Sequence, residues 1–247
     1  MTVDFSVVIP TYDRIDALPE VLAALEAQHE PPPFEVVVVD DGSRDGTGDW
    51  LEKRRWSVPA RVLRQENRGP AAARNAGVAA AEGRWVAFLG DDTVPDRGWL
   101  AAHRRAHSER GDDPRLAVLG YTGWHPRMRL TPFLRYINEH GAQFGYALIE
   151  DRENVPFNFF YTSNVSLPRQ RLVEEPFDLR FPYAAWEDTE LSYRLERTGG
   201  RLVYEPRAVT RHNHTTDVER FLAVLAASFG WWASGRSRAP RTIAAKA

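Results

Sequence analysis

The sequence predicts an α/β protein built on a doubly wound, mostly parallel sheet, and three observations predict it. Short β-branched or aromatic runs at 5–9, 34–39, 61–63 and 85–89 have the length and composition of buried strands. Helical patterns separate them, so the order is strand and helix three times over, then a strand, which is the signature of such a sheet. Two of these strands run straight into carboxylates, at Asp40-Asp41-Gly42-Ser43 and at Gly90-Asp91-Asp92. In an open α/β sheet ligands collect at the carboxyl ends of the strands.

The elements follow in order. Phe5-Ser-Val-Val-Ile9 is a first strand closed by Pro10, and Leu18, Val21, Leu22 and Leu25 give a helix over about 16–28. Pro31, Pro32 and Pro33 punctuate its exit, and the most hydrophobic strand follows at 34–39. A second helix is expected over 45–56 and a short strand over 61–63. Gly69-Pro70 opens a third helix running to Ala81, with proline suited to its first turn. Beyond Asp92 the pattern predicts a helix over 99–109 and a strand over 116–121. Residues 125–156 are aromatic-rich and proline-spaced and predict no definite element. A strand or extended segment is expected over 157–167 and a helix over 187–198 capped by Gly199-Gly200. Short strands are expected at 202–204 and 209–210, then an amphipathic helix over 217–232 and a disordered last dozen residues. The expected organisation is a single domain over 1–247: a nucleotide half to about 120, an acceptor half over 121–215, and a C-terminal helix and tail from 216.

Composition narrows the function. The formal net charge of −2 gives no sign of a nucleic-acid partner, and the absence of cysteine excludes disulfides and thiolate metal sites. All but two of the 32 basic residues are arginine, whose planar fork suits phosphate and carboxylate. The apolar N-terminal run is only a strand long and carries Asp4, so no signal peptide is expected, and no apolar run reaches the roughly 18 residues a membrane span needs. The expectation is a cytoplasmic enzyme. Trp231 and Trp232 leave open packing on the core, a homodimer seam, or peripheral contact with the inner face of the membrane.

Three acidic pairs stand out: Asp40-Asp41, Asp91-Asp92 and Glu187-Asp188. Adjacent carboxylates repel unless a cation or hydrogen-bond donors compensate, and hard oxygen ligands suit Mg²⁺ or Mn²⁺, especially beside a diphosphate. Arg74 falls in the first turns of a helix whose free N–H groups already favour phosphate. His212 and His214, two apart after a strand, point the same way.

Five segments resemble the motifs of the family 2 glycosyltransferases: Ser6-Val-Val-Ile-Pro-Thr-Tyr12-Asp-Arg14, Val39-Asp-Asp-Gly-Ser43, Gly69-Pro-Ala-Ala-Ala-Arg-Asn-Ala-Gly77, Leu89-Gly-Asp-Asp92, and Trp186-Glu-Asp-Thr-Glu-Leu-Ser-Tyr-Arg194. Their order and spacing over about 5–215 carry the likeness. The resemblance implies a GT-A fold and an inverting transfer of a sugar from a nucleotide-sugar to a hydroxyl acceptor, which can be a saccharide, a lipid-linked group or a small molecule. It implies that Pro10, Thr11 and Tyr12 line the base pocket, that Asp41 or its neighbour Asp40 bonds the base, and that Arg14 and Arg74 contact the nucleotide. Asp91 is implied at the ribose or metal, Asp92 at a Mn²⁺ or Mg²⁺ ion, and His212 at the metal or diphosphate. Asp188 is implied as general base, with Glu187 the other candidate. UDP is favoured, with GDP and dTDP open.

Two departures matter. The family's metal motif commonly reads Asp-x-Asp, and Gly90 stands at its first position here. The Gln-x-x-Arg-Trp motif of processive members is absent, which implies one transfer per acceptor. Two rivals remain: a sugar nucleotidyltransferase, whose glycine-rich basic loop is not found after the first strand, and a non-catalytic binding module, against which every acidic pair is retained.

Overall fold

The computed structural model describes residues 3–140, 143–181, 186–223 and 226. Its frame is an eight-stranded sheet in the order β3-β2-β1-β4-β7-β6-β8-β5. The strands are β1 (Phe5–Thr11), β2 (Phe34–Asp40), β3 (Ala60–Arg64), β4 (Trp85–Leu89), β5 (Thr93–Pro95), β6 (Leu116–Trp124), β7 (Asn164–Pro168) and β8 (Arg201–His212). β1 to β4 are mutually parallel. β7 then runs antiparallel to both β4 and β6, β6 is parallel to β8, and β5 closes the edge antiparallel to β8.

Over the described residues it is covered by the helices α1 (Leu18–Glu26), α2 (Thr47–Lys53), α3 (Pro70–Ala80), α4 (Trp99–Glu109), α5 (Pro132–Glu139), α6 (Arg169–Glu174) and α7 (Glu187–Arg197). Strand alternation sorts the core into two layers. Phe5, Val7 and Ile9 of β1 face α1 and α4 with Phe34, Val36 and Val38, whereas Val8, Val37 and Val39 face α3 and α7. Both faces are therefore buried, which is why these strands read as unbroken apolar runs. Trp85 and Trp99 are among the largest fully buried side chains, and burying a large apolar side chain contributes about 1.5–3 kcal/mol. At Gly77 an added Cβ would meet Val8 Cγ1 at 2.4 Å, so a glycine is what lets α3 lie against β1.

The first half matches its sequence pattern closely, with β4 and α4 as expected. The second half corrects two expectations and supplies a helix where none was expected. The stretch expected as strand at 157–167 is a 3₁₀ turn at Phe157–Phe159 followed by β7. The two short strands at 202–204 and 209–210 are one strand, β8, whose register with β6 shifts between Gly120 and Tyr121. Residues 125–156 contain α5, begun by Thr131, whose side chain accepts from the Leu134 N–H. Residues 218–223 and 226 are helical, and the other positions of the expected tail helix beyond 223, with Trp231 and Trp232, lie outside the described residues. Among the described residues no helix is long and apolar enough to cross a membrane.

Candidate functional site

The carboxyl ends of β1, β2 and β4 open into two adjoining hollows, each of about 390 Å³. One is lined by Thr11, Tyr12, Arg14, Asp41, Asn67 and Asp91 among others. The other is lined by Phe144, Tyr161, Thr162, Ser163, Glu187 and Asp188 among others. Pro10, Arg74 and Gly90 belong to both walls, so the hollows meet at the end of β4. A third cleft, of about 250 Å³, sits where β6 and β8 begin, at Leu116 and Arg201, on the opposite edge of the sheet from every acidic pair.

The neighbours Asp40 and Asp41 have different jobs. Asp40 ends β2 fully buried, its Oδ1 accepting from the Ser43 N–H at 2.9 Å and its Oδ2 lying 3.4 Å from Arg64 Nε. It holds the turn beneath α2 and lines neither hollow. Asp41 faces the first hollow. Its Oδ1 accepts from Gln65 Nε2 at 2.6 Å and the Arg68 N–H at 3.0 Å, and its Oδ2 from the Gly69 N–H at 2.8 Å. The carboxylate thus fixes the loop leading into α3.

After β4 the chain turns through Gly90, whose N–H donates to Ser163 O at 3.3 Å. A Cβ at 90 would meet the Thr93 hydroxyl at 2.6 Å and Asp92 Oδ1 at 3.3 Å. Thr93 is fully buried, so an acid at the position where Asp-x-Asp begins would have to displace its hydroxyl. Asp91 and Asp92 follow, nearly buried. Asp91 Oδ1 lies 3.4 Å from Arg14 Nε. Burial first, then the charge of Asp92, push Asp91 up to about 7 against the pull of Arg14. Burial would raise Asp92 too, but His212, Arg14 and His214 hold it well below the usual carboxylate range. His212 Nε2 is 3.3 Å from Asp92 Oδ1, and His214 Nδ1 is 4.0 Å from Oδ2. The His212 ring is held between Trp124 and Phe144, centroids 5.5 and 5.3 Å away. Phe144 adopts a φ of 54°, a left-handed conformation rare for a bulky residue. Among the described residues no three acid or histidine side chains are gathered into a ready-made cage. Asp92 with His212, and Asp91 beside them, make a partial oxygen and imidazole set that suits Mn²⁺ or Mg²⁺ if a diphosphate supplies further oxygens.

On the far wall Arg74 Nη1 donates to Glu187 Oε1 at 2.7 Å, and its guanidinium lies over Phe177 at 5.4 Å. The Arg74 Nε–H is buried without a partner. Asp188 Oδ1 accepts from the Thr189 N–H at 2.8 Å. Burial, then Glu187, push Asp188 up to about 7.

The structure therefore lines one double hollow with Pro10, Thr11, Tyr12, Arg14, Asp41, Arg74, Asp91, Glu187 and Asp188, sets Asp92 and His212 beside it against Arg14 and Phe144, and leaves Asp40 behind it. The sequence did not single out Gln143, Phe144, Thr162, Ser163 or Asn67 as lining residues. The signal for 162 and 163 is the antiparallel pairing of Leu89 with Asn164, which local periodicity does not reveal.

Residues 6–113 match the family model described as Glycosyl transferase family 2. A validoxylamine A glucosyltransferase of Streptomyces hygroscopicus subsp. limoneus is 32% identical over 219 residues, covering 78% of this chain and 48% of that protein. A chondroitin synthase of Escherichia coli is 27% identical over 247 residues, covering 85% of this chain and 36% of that protein. The chain thus spans half or less of either relative. Among solved structures it is similar to S. aureus TarS 1–349 in complex with UDP-GlcNAc, with a TM-score of 0.67 at 21% identity over 89% of this chain and 61% of that one. It is also similar to the mannosyltransferase PcManGT from Pyrobaculum calidifontis in complex with GDP-Man and Mn²⁺, with a TM-score of 0.65 at 23% identity over 96% and 65%. These are glycosyltransferases of the GT-A fold.

Proposed function

From the match of residues 6–113 to the model of glycosyl transferase family 2 and the likeness to glycosyltransferases in sequence and fold, we propose that the chain moves a sugar from a nucleoside-diphosphate sugar to a hydroxyl acceptor by a single inverting displacement. UDP is the favoured nucleotide. The observation that carries the reading is the double hollow, with Asp41, Arg14 and Asp91 on one side, Asp188 on the other, and Arg74 in the wall they share.

The nucleotide occupies the hollow of Thr11, Tyr12 and Asp41, with the base against Tyr12 and Asp41. The diphosphate lies near the start of α3 and Arg74, whose unpartnered Nε–H is a donor awaiting an acceptor. A divalent cation on Asp92 and His212, when bound, supplies positive charge for the leaving diphosphate. The sugar and acceptor occupy the hollow of Tyr161, Thr162 and Asp188. The acceptor oxygen attacks the anomeric carbon, its proton passes to an Asp188 oxygen, and the bond from carbon to the diphosphate oxygen breaks with its electron pair leaving on the diphosphate. A hydroxyl is a poor nucleophile until it loses that proton, and a base titrating near neutrality is suited to take it. Asp188 is favoured over Glu187 because Glu187 is already engaged by Arg74 at 2.7 Å.

Calorimetric titration with UDP and Mn²⁺, repeated on Asp92→Ala, tests this. UDP binding should require Mn²⁺ in the parent protein and weaken in the variant. Binding indifferent to both metal and substitution would refute the cation's place.

A further inference from the structure

Arg14 stands between the nucleotide hollow and the acid pair on a fixed base. Its N–H donates to Thr47 Oγ1 at 3.1 Å. The residue before it, Asp13 at a φ of 51°, donates its N–H to Ser43 Oγ at 2.9 Å and accepts from the Arg44 N–H at 2.7 Å. From that anchored point the guanidinium spreads over three separate groups. Nε is 3.4 Å from Asp91 Oδ1, Nη2 is 3.6 Å from Asp92 Oδ2, and Nη1 is 3.5 Å from His214 Nδ1.

That is not how a committed arginine binds. An arginine matched to one carboxylate makes paired bonds of about 2.7–2.9 Å, and Arg74 holds Glu187 at 2.7 Å with its side chain 10% exposed. The Arg14 side chain is 34% exposed and forms no such fork. It is held by the summed charge of two buried carboxylates rather than by fitted geometry. Those are the same carboxylates offered to the divalent cation.

We propose that Arg14 is a displaceable counter-cation. It neutralises Asp91 and Asp92 while the cleft lacks a donor, and yields them when a divalent ion arrives with a nucleoside diphosphate. The inference rests on the cation reading above. Because Arg14 lines the nucleotide hollow, the released side chain stays within a cavity built for phosphate. A divalent ion alone must displace a resident charge and gains nothing in return. With a diphosphate present the displaced arginine has a new anion, so ion and nucleotide help each other to bind, and by linkage the help is reciprocal.

The test is Mn²⁺ binding followed by electron paramagnetic resonance of the free ion, with and without UDP, on the parent protein, Arg14→Gln and Arg14→Lys. The parent should bind Mn²⁺ weakly alone and more tightly with UDP. Arg14→Gln should bind Mn²⁺ alone about tenfold more tightly, with the UDP effect reduced by a similar factor, within the range usual for coupled sites. Arg14→Lys, which keeps the charge, should stay near the parent. Mn²⁺ affinity without UDP that is unchanged or weaker in Arg14→Gln would overturn the proposal while leaving the cation site standing. Mn²⁺ bound by none of the three, even with UDP, would overturn the cation reading and the proposal with it.

Discussion

Arg74 Nη1 lies 2.7 Å from Glu187 Oε1, joining α3 to α7 across 113 residues of sequence. Both side chains are nearly buried, 10% and 3% exposed, and the guanidinium packs over Phe177. The pair is the strut between the two hollows. Removing one member of a buried ion pair costs about 3–5 kcal/mol because a desolvated charge loses its partner. Arg74→Ala is therefore expected to lower unfolding free energy by about that much, measured by urea denaturation. Arg74→Lys should recover only part, since an ammonium cannot both reach Glu187 and cover Phe177 with a planar face. A loss below about 1 kcal/mol in Arg74→Ala is what a solvated surface pair gives, and would remove the strut from the account.

Asp188 sets a pH dependence with opposite signs for stability and activity. Its ordinary value of 3.8 is pushed up to about 7 by burial and then by Glu187, against Arg74 and the Thr189 and Thr162 backbones. The folded protein keeps a proton that the unfolded chain gives up, so this group's contribution is full below 3.8 and is lost as pH rises through about 7. As the proposed base Asp188 acts in its ionised form, so kcat/KM should climb along a one-proton limb near pH 7 and then level. Asp188→Asn should lower kcat by about 10²–10⁴-fold and abolish the limb while UDP binding persists. A retained limb in that variant would assign it to another group.

The first half of the chain was legible because each element carries its own punctuation. Val36 to Val39 is buried on both faces and ends in acid, and Gly69-Pro70 opens α3 where a helix was expected. The second half depends on pairing that no local pattern encodes. Glu205-Pro206-Arg207-Ala208 reads as a break between two strands, yet the structure absorbs it in one strand with a shifted register. β5 is only three residues long and exists because Thr93 pairs with His212. At the site, the residue types were readable and their commitments were not. Arg14 was expected as a nucleotide contact, and its position against Asp91 and Asp92 follows from the turn that Thr47 and Ser43 pin. For α5 a signal was present: Thr131 and Pro132 before Leu134 and Ile137, three apart, are a cap and an apolar face.

Asn164 holds that irregular half together. Its Nδ2 donates to Ala208 O at 2.9 Å and Tyr121 O at 3.0 Å, spanning the register shift between β6 and β8. Its Oδ1 accepts from Trp99 Nε1 at 2.8 Å. His103 Nε2 lies 3.0 Å from the same oxygen, which can only accept, so that nitrogen carries the proton and His103 Nδ1 accepts from Ser166 Oγ at 2.9 Å. Burial drives His103 down to about 4, in keeping with a neutral ring. Each buried polar group left without a partner costs about 1–3 kcal/mol. Asn164→Ala strands several, so a loss of more than about 3 kcal/mol is expected by denaturant titration. A loss under about 1 kcal/mol would mean that water restores those bonds.

Asp40 and Asp41 differ by one position and should separate completely in their effects. Asp40, the last residue of β2, turns under α2 with Ser43 and Arg64, and Asp41, just past the strand, faces the first hollow. Asp40→Asn keeps an acceptor for the Ser43 N–H and loses the charge facing Arg64, so stability falls while UDP affinity of the folded protein stays within about twofold. Asp41→Asn places an amide where Gln65, Arg68 and Gly69 all donate. One of its two former oxygens becomes a donor facing donors, which loosens the loop before α3 and removes the charged acceptor proposed for the base. Hydrogen bonds to a charged group are worth about 1.5–3 kcal/mol, so UDP affinity should fall about tenfold or more. Isothermal titration of both variants at one temperature, below either unfolding transition, decides the matter. Equal losses of UDP affinity would show that the effect travels through the strand end as a whole rather than through the carboxylate that faces the hollow.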